Sequence, residues 1–84
     1  MEDIFLKQLP TIDLHGYDMD SARVATNDFI DDSILLNNKK ILIIHGKGKG
    51  LVKKSVHETL SHRKEVKNFY TDNQNDGCTI VNLV

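Results

Sequence analysis

Hydrophobic positions along this chain fall into six short segments, and their spacing alternates between the periods that distinguish strands from helices. Residues 11–14 read Thr-Ile-Asp-Leu, where Ile12 and Leu14 alternate with polar neighbours as in a strand with one buried face. Ala22, Ala25, Thr26, Phe29, Ser33 and Leu36 recur at three- and four-residue spacing. That stripe predicts an amphipathic helix over 19–36, with Asp28, Asp31 and Asp32 largely outside it. Asp18 is placed to cap this helix, Tyr17 to staple its entry against Ala22, and Asp20 to favour its first turn. Asn37-Asn38 ends it, since Asn tolerates the left-handed C-terminal position. Residues 39–44 close on an unbroken Ile-Leu-Ile-Ile run, the pattern of a central strand buried on both faces. Val52, Val56 and Leu60 then repeat every four residues and predict a second helix over 51–62. Residues 66–70 and 78–84 read as strands joined by the turn-rich 71–77 segment.

The order is strand, helix, strand, helix, strand, strand. Right-handed crossovers make the first three strands largely parallel, and the terminal hairpin adds an antiparallel member. The expected fold is therefore an α/β two-layer sandwich, a mixed four-stranded sheet with both helices on one face. A length of 84 residues allows one core: residues 1–10 form an N-terminal arm, biased to extended geometry by Pro10, and residues 11–84 form the domain.

The lone Cys78 has no internal disulfide partner and reads as a small buried hydrophobe. Met1 is followed by Glu2 and Asp3, where a signal peptide needs positive charge. The longest aliphatic run falls far short of the roughly 20 residues of a membrane span. The expectation is a cytoplasmic protein without a membrane partner.

Charge changes this picture once it is resolved along the chain. Residues 1–38 carry eight acids against Lys7 and Arg23, whereas residues 39–67 carry nine bases against Glu58 and Glu65. Such asymmetry suggests one basic face able to attract nucleic acid; the alternative is mutual neutralisation across the fold.

Two short motifs carry the chemistry. In Ile12-Asp13-Leu14-His15-Gly16, strand alternation puts Asp13 and His15 on the face opposite Ile12 and Leu14, roughly 7 Å apart along the strand. That spacing suits two groups touching one phosphodiester. His exchanges protons near neutral pH, and Asp can orient an imidazole, accept a proton or hold a divalent cation. The plainer reading is a strand-end Asp capping nearby amides beside a solvated His.

The second motif is Ile43-Ile44-His45-Gly46-Lys47-Gly48-Lys49-Gly50. Its glycines let backbone approach a ligand, the amides opening the next helix can donate to phosphate oxygens, and Lys47 and Lys49 add charge. The plainer reading is a flexible connector. The P-loop pattern is absent, and Leu51 stands where a dinucleotide-binding fingerprint needs its third glycine. In parallel α/β sheets ligands gather at the carboxyl ends of strands, where both His15 and His45 lie, so the motifs should converge. His57 and His62 read as surface residues of the second helix, and no His/Cys spacing makes a zinc site.

The Asp-Leu-His-Gly and His-Gly-x-Gly motifs resemble those of the Smr (small MutS-related) domain, a resemblance that runs from Ile12 to Val84. It implies this order of elements, similar to the C-terminal domain of bacterial translation initiation factor three, and a nucleic-acid-binding, often endonucleolytic module. It implies catalytic roles for Asp13, His15 and His45, with His15 and His45 exchanging protons with the phosphodiester. It also implies nucleic-acid contacts from Gly46, Lys47, Gly48, Lys49, Gly50 and Lys53. Lys53 stands where many members carry Arg, so bidentate geometry is lost. Gly77 matches the last glycine of the family's Gly-rich run, whereas Asn75-Asp76 departs from it.

Two function classes follow. One is an endonuclease cleaving RNA, whose 2′-hydroxyl is an internal nucleophile, or nicking DNA, where an external water and a divalent cation near Asp13 would serve. The other is a non-catalytic module that docks on structured nucleic acid or a ribosome-like surface; five aromatics without tryptophan favour phosphate and shape contacts over stacking.

Overall fold

The computed structural model describes residues 9–84. The expected arm over residues 1–10 lies outside the described residues except for Leu9 and Pro10. Six elements follow in the expected order: β1 (Thr11–Asp13), α1 (Met19–Leu35), β2 (Lys40–Ile44), α2 (Leu51–Ser61), β3 (Val66–Thr71) and β4 (Cys78–Leu83). Among the described residues no helix is long and apolar enough to cross a membrane.

The four strands form one sheet in the order β1-β2-β4-β3. β1 and β2 run parallel, pairing Ile12 with Ile43 and Asp13 with Ile44, as the helical crossover between them requires. β4 lies between β2 and β3 and is antiparallel to both, so the first three strands share a direction although β3 never touches β2. Ile41, Ile43, Val81 and Leu83 meet Ala22, Ile30, Val56 and Leu60 in one core. Both helices therefore cover the same face of the sheet. On the other face Leu42 and Ile44 are only half-buried, which corrects the reading of β2 as a strand buried on both faces. Five of the six β4 residues are buried instead, although β2 and β4 are both inner strands of the sheet.

Helix α1 starts where its cap allows. Asp18 has extended backbone and accepts a hydrogen bond from the Ser21 amide at 2.7 Å, satisfying one of the amides left open by the first turn. At the other end Asn37 adopts a left-handed φ of 60° and the Asn38 amide returns to the Ser33 carbonyl at 2.9 Å, closing the helix. The buried stripe is Ala22, Thr26, Ile30 and Ser33. Ile30 joins it because α1 packs on α2 as well as on the sheet, which widens the buried sector. Leu36 leaves it, at 72% exposure, because the helix has already ended.

Thr26 and Ser33 bring two hydroxyls into this core without hydrogen-bond partners. A buried unpaired hydroxyl is destabilising, so Ser33→Ala and Thr26→Val should each raise stability by about 1 kcal/mol. Urea midpoints below that of the parent for both would show that these hydroxyls are paired in solution.

Candidate functional site

The parallel pairing of β1 with β2 brings the ends of both strands to one edge of the sheet. The Leu14 amide donates to the Ile44 carbonyl at 2.6 Å, placing His15 beside Gly46. The chain then reverses through a turn closed by the Tyr17 amide on the Leu14 carbonyl at 3.0 Å. Gly16 takes the third position of that turn at φ 84°, a left-handed value natural to glycine there. His15 and Asp13 point outward together, with side chains 74% and 50% exposed.

Asp13 Oδ1 accepts hydrogen bonds from the His15 ring Nδ1 at 2.7 Å and from the His15 amide at 3.1 Å. A carboxylate takes only a donor at that distance, so His15 carries a proton on Nδ1 and directs Nε2 to solvent. The same bond raises the His15 pKa above 6.5, with the Asp13 charge adding to it. It lowers the Asp13 pKa below 3.8, helped by the amide. The result is an oriented imidazole with one free nitrogen, backed by a carboxylate.

His45 occupies a different environment. It continues the buried parity of Ile41 and Ile43 and is 3% exposed. Its Nδ1 lies 3.0 Å from its neighbour Gly46's carbonyl, and its Nε2 lies 2.8 Å from Thr79 Oγ1. Burial, the largest influence, pulls its pKa below 6.5. His15 is open, whereas the His45 ring is enclosed with both nitrogens engaged, although both residues border the same groove.

An open groove of about 700 Å³ runs from His15 and Tyr17 along the loop from Gly46 to Gly50 to the first turn of α2, with Asn75 and Gly77 on its far wall. Helix α2 begins at Gly50, in a left-handed conformation at φ 80°, with no side-chain cap. Its first intrahelical bond is the Lys54 amide on the Gly50 carbonyl at 2.9 Å. The first-turn amides of Leu51, Val52 and Lys53 therefore face the groove uncapped, where the helix dipole favours an anion. Lys47 and Lys49 are exposed and Lys53 is half-buried. Lys47 Nζ lies 3.5 Å from Asp76 Oδ1, a loose solvated pair. Among the described residues no group of three His, Cys, Asp or Glu could hold a metal ion.

The loop before β4 is held by side-chain hydrogen bonds of its own. Asp72 Oδ1 accepts from the Gln74 amide at 3.1 Å and Asn75 Oδ1 from the Gly77 amide at 3.0 Å, forming two Asx turns. Gly77 is then positioned so that its carbonyl accepts the amides of both His45 (2.8 Å) and Gly46 (3.0 Å). Tyr17 lines the groove at 44% exposure.

Sequence reasoning missed two residues. His57, read as a surface residue, is half-buried, with Nε2 2.8 Å from Thr79 Oγ1 and its ring packed edge-on against His45 and Phe69 at 5.9 and 5.0 Å. Thr79, fully buried, sits between the two histidines. Thr79 shares the core-facing parity of Val81 and Leu83, but no sequence spacing joins it to His57. His62 is exposed, as expected.

Comparison with known proteins adds a second line of observation. The family model described as the Smr domain matches residues 12–84. Endonuclease MutS2 of Geobacillus sp. (strain WCH70) is 40% identical over 73 residues, covering 87% of this chain and 9% of that protein. Endonuclease MutS2 of Clostridium tetani is 34% identical over 73 residues, with the same two shares. This chain thus spans about a tenth of the length of the curated relatives it matches. Among solved structures, the Smr domain of Thermus thermophilus MutS2 superimposes with a TM-score of 0.88 at 24% identity, covering 90% of this chain and 99% of that one. YdaL, a stand-alone small MutS-related protein from Escherichia coli, gives 0.84 at 24% identity, covering 90% and 65%.

Proposed function

The chain belongs to the Smr domain family, and from the groove that its two motifs build we propose that it binds nucleic acid through phosphate contacts and cleaves RNA with His15 as the acid–base group. The observation that carries this reading is the Asp13–His15 pair at the mouth of a groove whose floor is an uncapped helix start. A phosphodiester in the groove would accept hydrogen bonds from the amides of Leu51, Val52 and Lys53, with Lys47, Lys49 and Lys53 neutralising its charge and Gly46, Gly48 and Gly50 giving it room.

In RNA the attacking oxygen belongs to the substrate. His15 Nε2 takes the proton of the 2′-hydroxyl, that oxygen bonds to phosphorus, and the 5′-oxygen leaves with a proton from solvent. The lysines and amides hold the charge that grows on the phosphoryl oxygens. His45 sits outside this step as a structural residue under the loop. The product would end in a 2′,3′-cyclic phosphate, and a substrate with a single 2′-deoxy sugar at the cut would resist.

A second reading rests on the enclosure of His45: with one open histidine, the domain binds structured RNA or a ribosome-like surface without cutting. Incubation of the purified protein with labelled RNA and DNA, with and without magnesium and chelator, separates the two. RNA cleavage that survives chelator supports the first reading. Binding without cleavage supports the second. Cutting of the deoxy-substituted strand, or cleavage abolished by chelator, points to a water activated by a divalent cation near Asp13.

Both readings share one prediction. Because phosphate contacts release counterions, affinity should fall steeply with salt, and replacing Lys47 and Lys49 with Ala should weaken binding and flatten the salt slope by about one to two units. Unchanged binding by the double variant would remove this face from the interface.

A further inference from the structure

We propose that His57 is a positioning residue that acts through Thr79 and His45 to fix the carbonyl of Gly46, and that Gly46 in turn seats the side chain of His15. The proposal rests on the reading of His15 as the reacting group, and it follows from the direction of four hydrogen-bonding groups.

The Gly46 carbonyl can only accept, so the His45 Nδ1 at 3.0 Å is the donor. A neutral His45 then presents a lone pair at Nε2, and the Thr79 hydroxyl 2.8 Å away donates to it. That hydroxyl has one proton. The His57 Nε2, also 2.8 Å from Thr79 Oγ1, must therefore be a donor. The chain reads His57 N–H to Thr79 O–H to His45, and His45 N–H to the Gly46 carbonyl, each bond polarising the next. Neutral His45 is the form this interior favours. The charged and titratable groups facing it are Lys53 and His57 from α2 and Asp76 from the loop before β4, and burial outweighs Asp76. His57 is also held toward its neutral form, first by burial and then by the facing Lys53 of α2, with His45 beside it and Phe69 presented by β3.

Gly46 is held at both ends, since its amide donates to the Gly77 carbonyl at 3.0 Å. Between these anchors it adopts φ 81°, and a side chain added there would come 3.3 Å from His15 Cβ. The Gly46 backbone is thus a wall of the His15 seat. Loosening its carbonyl would let that wall move and misplace an imidazole whose angle to the phosphodiester decides its effectiveness.

The experiment compares Thr79→Val, which keeps the shape and removes the hydroxyl, with Thr79→Ser, which keeps the hydroxyl. Nitrogen-15 NMR of the imidazoles in the intact protein reads the tautomers and the His15 titration, and single-turnover kinetics on RNA read the chemistry. Expected in the parent are protons on His45 Nδ1 and His57 Nε2. In Thr79→Val the His15 midpoint should move down toward 6.5, and kcat should fall by roughly 10- to 10²-fold with KM within about twofold. Thr79→Ser should restore both. A parent His45 protonated at Nε2 instead, or a Thr79→Val protein with the parental His15 titration, overturns the proposal. Should Thr79→Val lose its folded amide spectrum, His57→Phe, which keeps an aromatic ring against Phe69 but cannot donate, takes its place; an unmoved His15 midpoint there overturns the proposal equally. If the parent does not cut RNA, the cleavage reading fails while the tautomers and the His15 titration still decide the relay.

Discussion

If the proposed cleavage holds, Asp13→Asn and His15→Ala should each lower it by roughly 10²-fold or more, the usual cost of losing a positioned acid–base group, while circular dichroism and most of the RNA affinity should stay as in the parent. Both side chains lie outside the core, at 50% and 74% exposure, so neither substitution opens a cavity. The variants act differently. His15→Ala removes the nitrogen that takes the 2′-hydroxyl proton. Asp13→Asn leaves that nitrogen in place and keeps an amide oxygen to accept from the ring, but withdraws the charge that strengthens the bond.

The pH profile separates these effects, and its sign follows from the dyad. The Asp13 hydrogen bond, assisted by its charge, raises the His15 pKa above 6.5, so the neutral base form is reached only above that value. The rate in the parent should rise with pH through a midpoint above 6.5. Without the carboxylate the midpoint should move down toward the ordinary value, and without the imidazole this limb should vanish. Both variants cutting at the parental rate would remove Asp13 and His15 from the chemistry.

Much of this arrangement is legible in the sequence because it depends on local rules. The alternation Ile12-Asp13-Leu14-His15 fixes which pair faces outward, and the helix between β1 and β2 forces them parallel, so both motifs must end at one edge. Applied one strand later, the same rule predicts the burial of His45, which follows Ile41 and Ile43 on the core parity. His57 is different in kind. Its partners Phe69 and Thr79 come from β3 and β4, and only the order β1-β2-β4-β3, which places β4 beside β2, brings Thr79 under both α2 and the β2 loop. No spacing within α2 carries that information. The loop before β4 is hard to read for a related reason, since its Asx turns at Asp72 and Asn75 depend on side-chain hydrogen bonds that no periodicity marks.

Leu14 ties the fold to the site, and Leu14→Ala should show it by costing about 2–5 kcal/mol of stability. The side chain is fully buried in the cluster formed by both helices and the sheet, so its loss removes transfer free energy and leaves a cavity that the chain between the three-residue strand β1 and the Tyr17 turn cannot collapse. For 84 residues total stability is about 4–13 kcal/mol, and each kcal/mol lowers Tm by roughly 4–8 °C in a domain of this size. Leu35→Ala serves as the control: at 84% exposure its loss should stay within about 0.5 kcal/mol. A Leu14→Ala midpoint equal to that of Leu35→Ala would mean that the core does not rest on β1. The consequence reaches function because Leu14 stands between Asp13 and His15, and its amide and carbonyl fix the strand to β2 and close the turn at Tyr17. A cavity behind Leu14 loosens both anchors. The surviving folded fraction should therefore show a His15 midpoint displaced toward 6.5 and a cleavage rate reduced beyond the loss of folded protein. Scaling that rate by the folded fraction measured at each temperature separates the two effects, and a rate that followed the folded fraction alone would show that the dyad keeps its geometry without the packing beneath it.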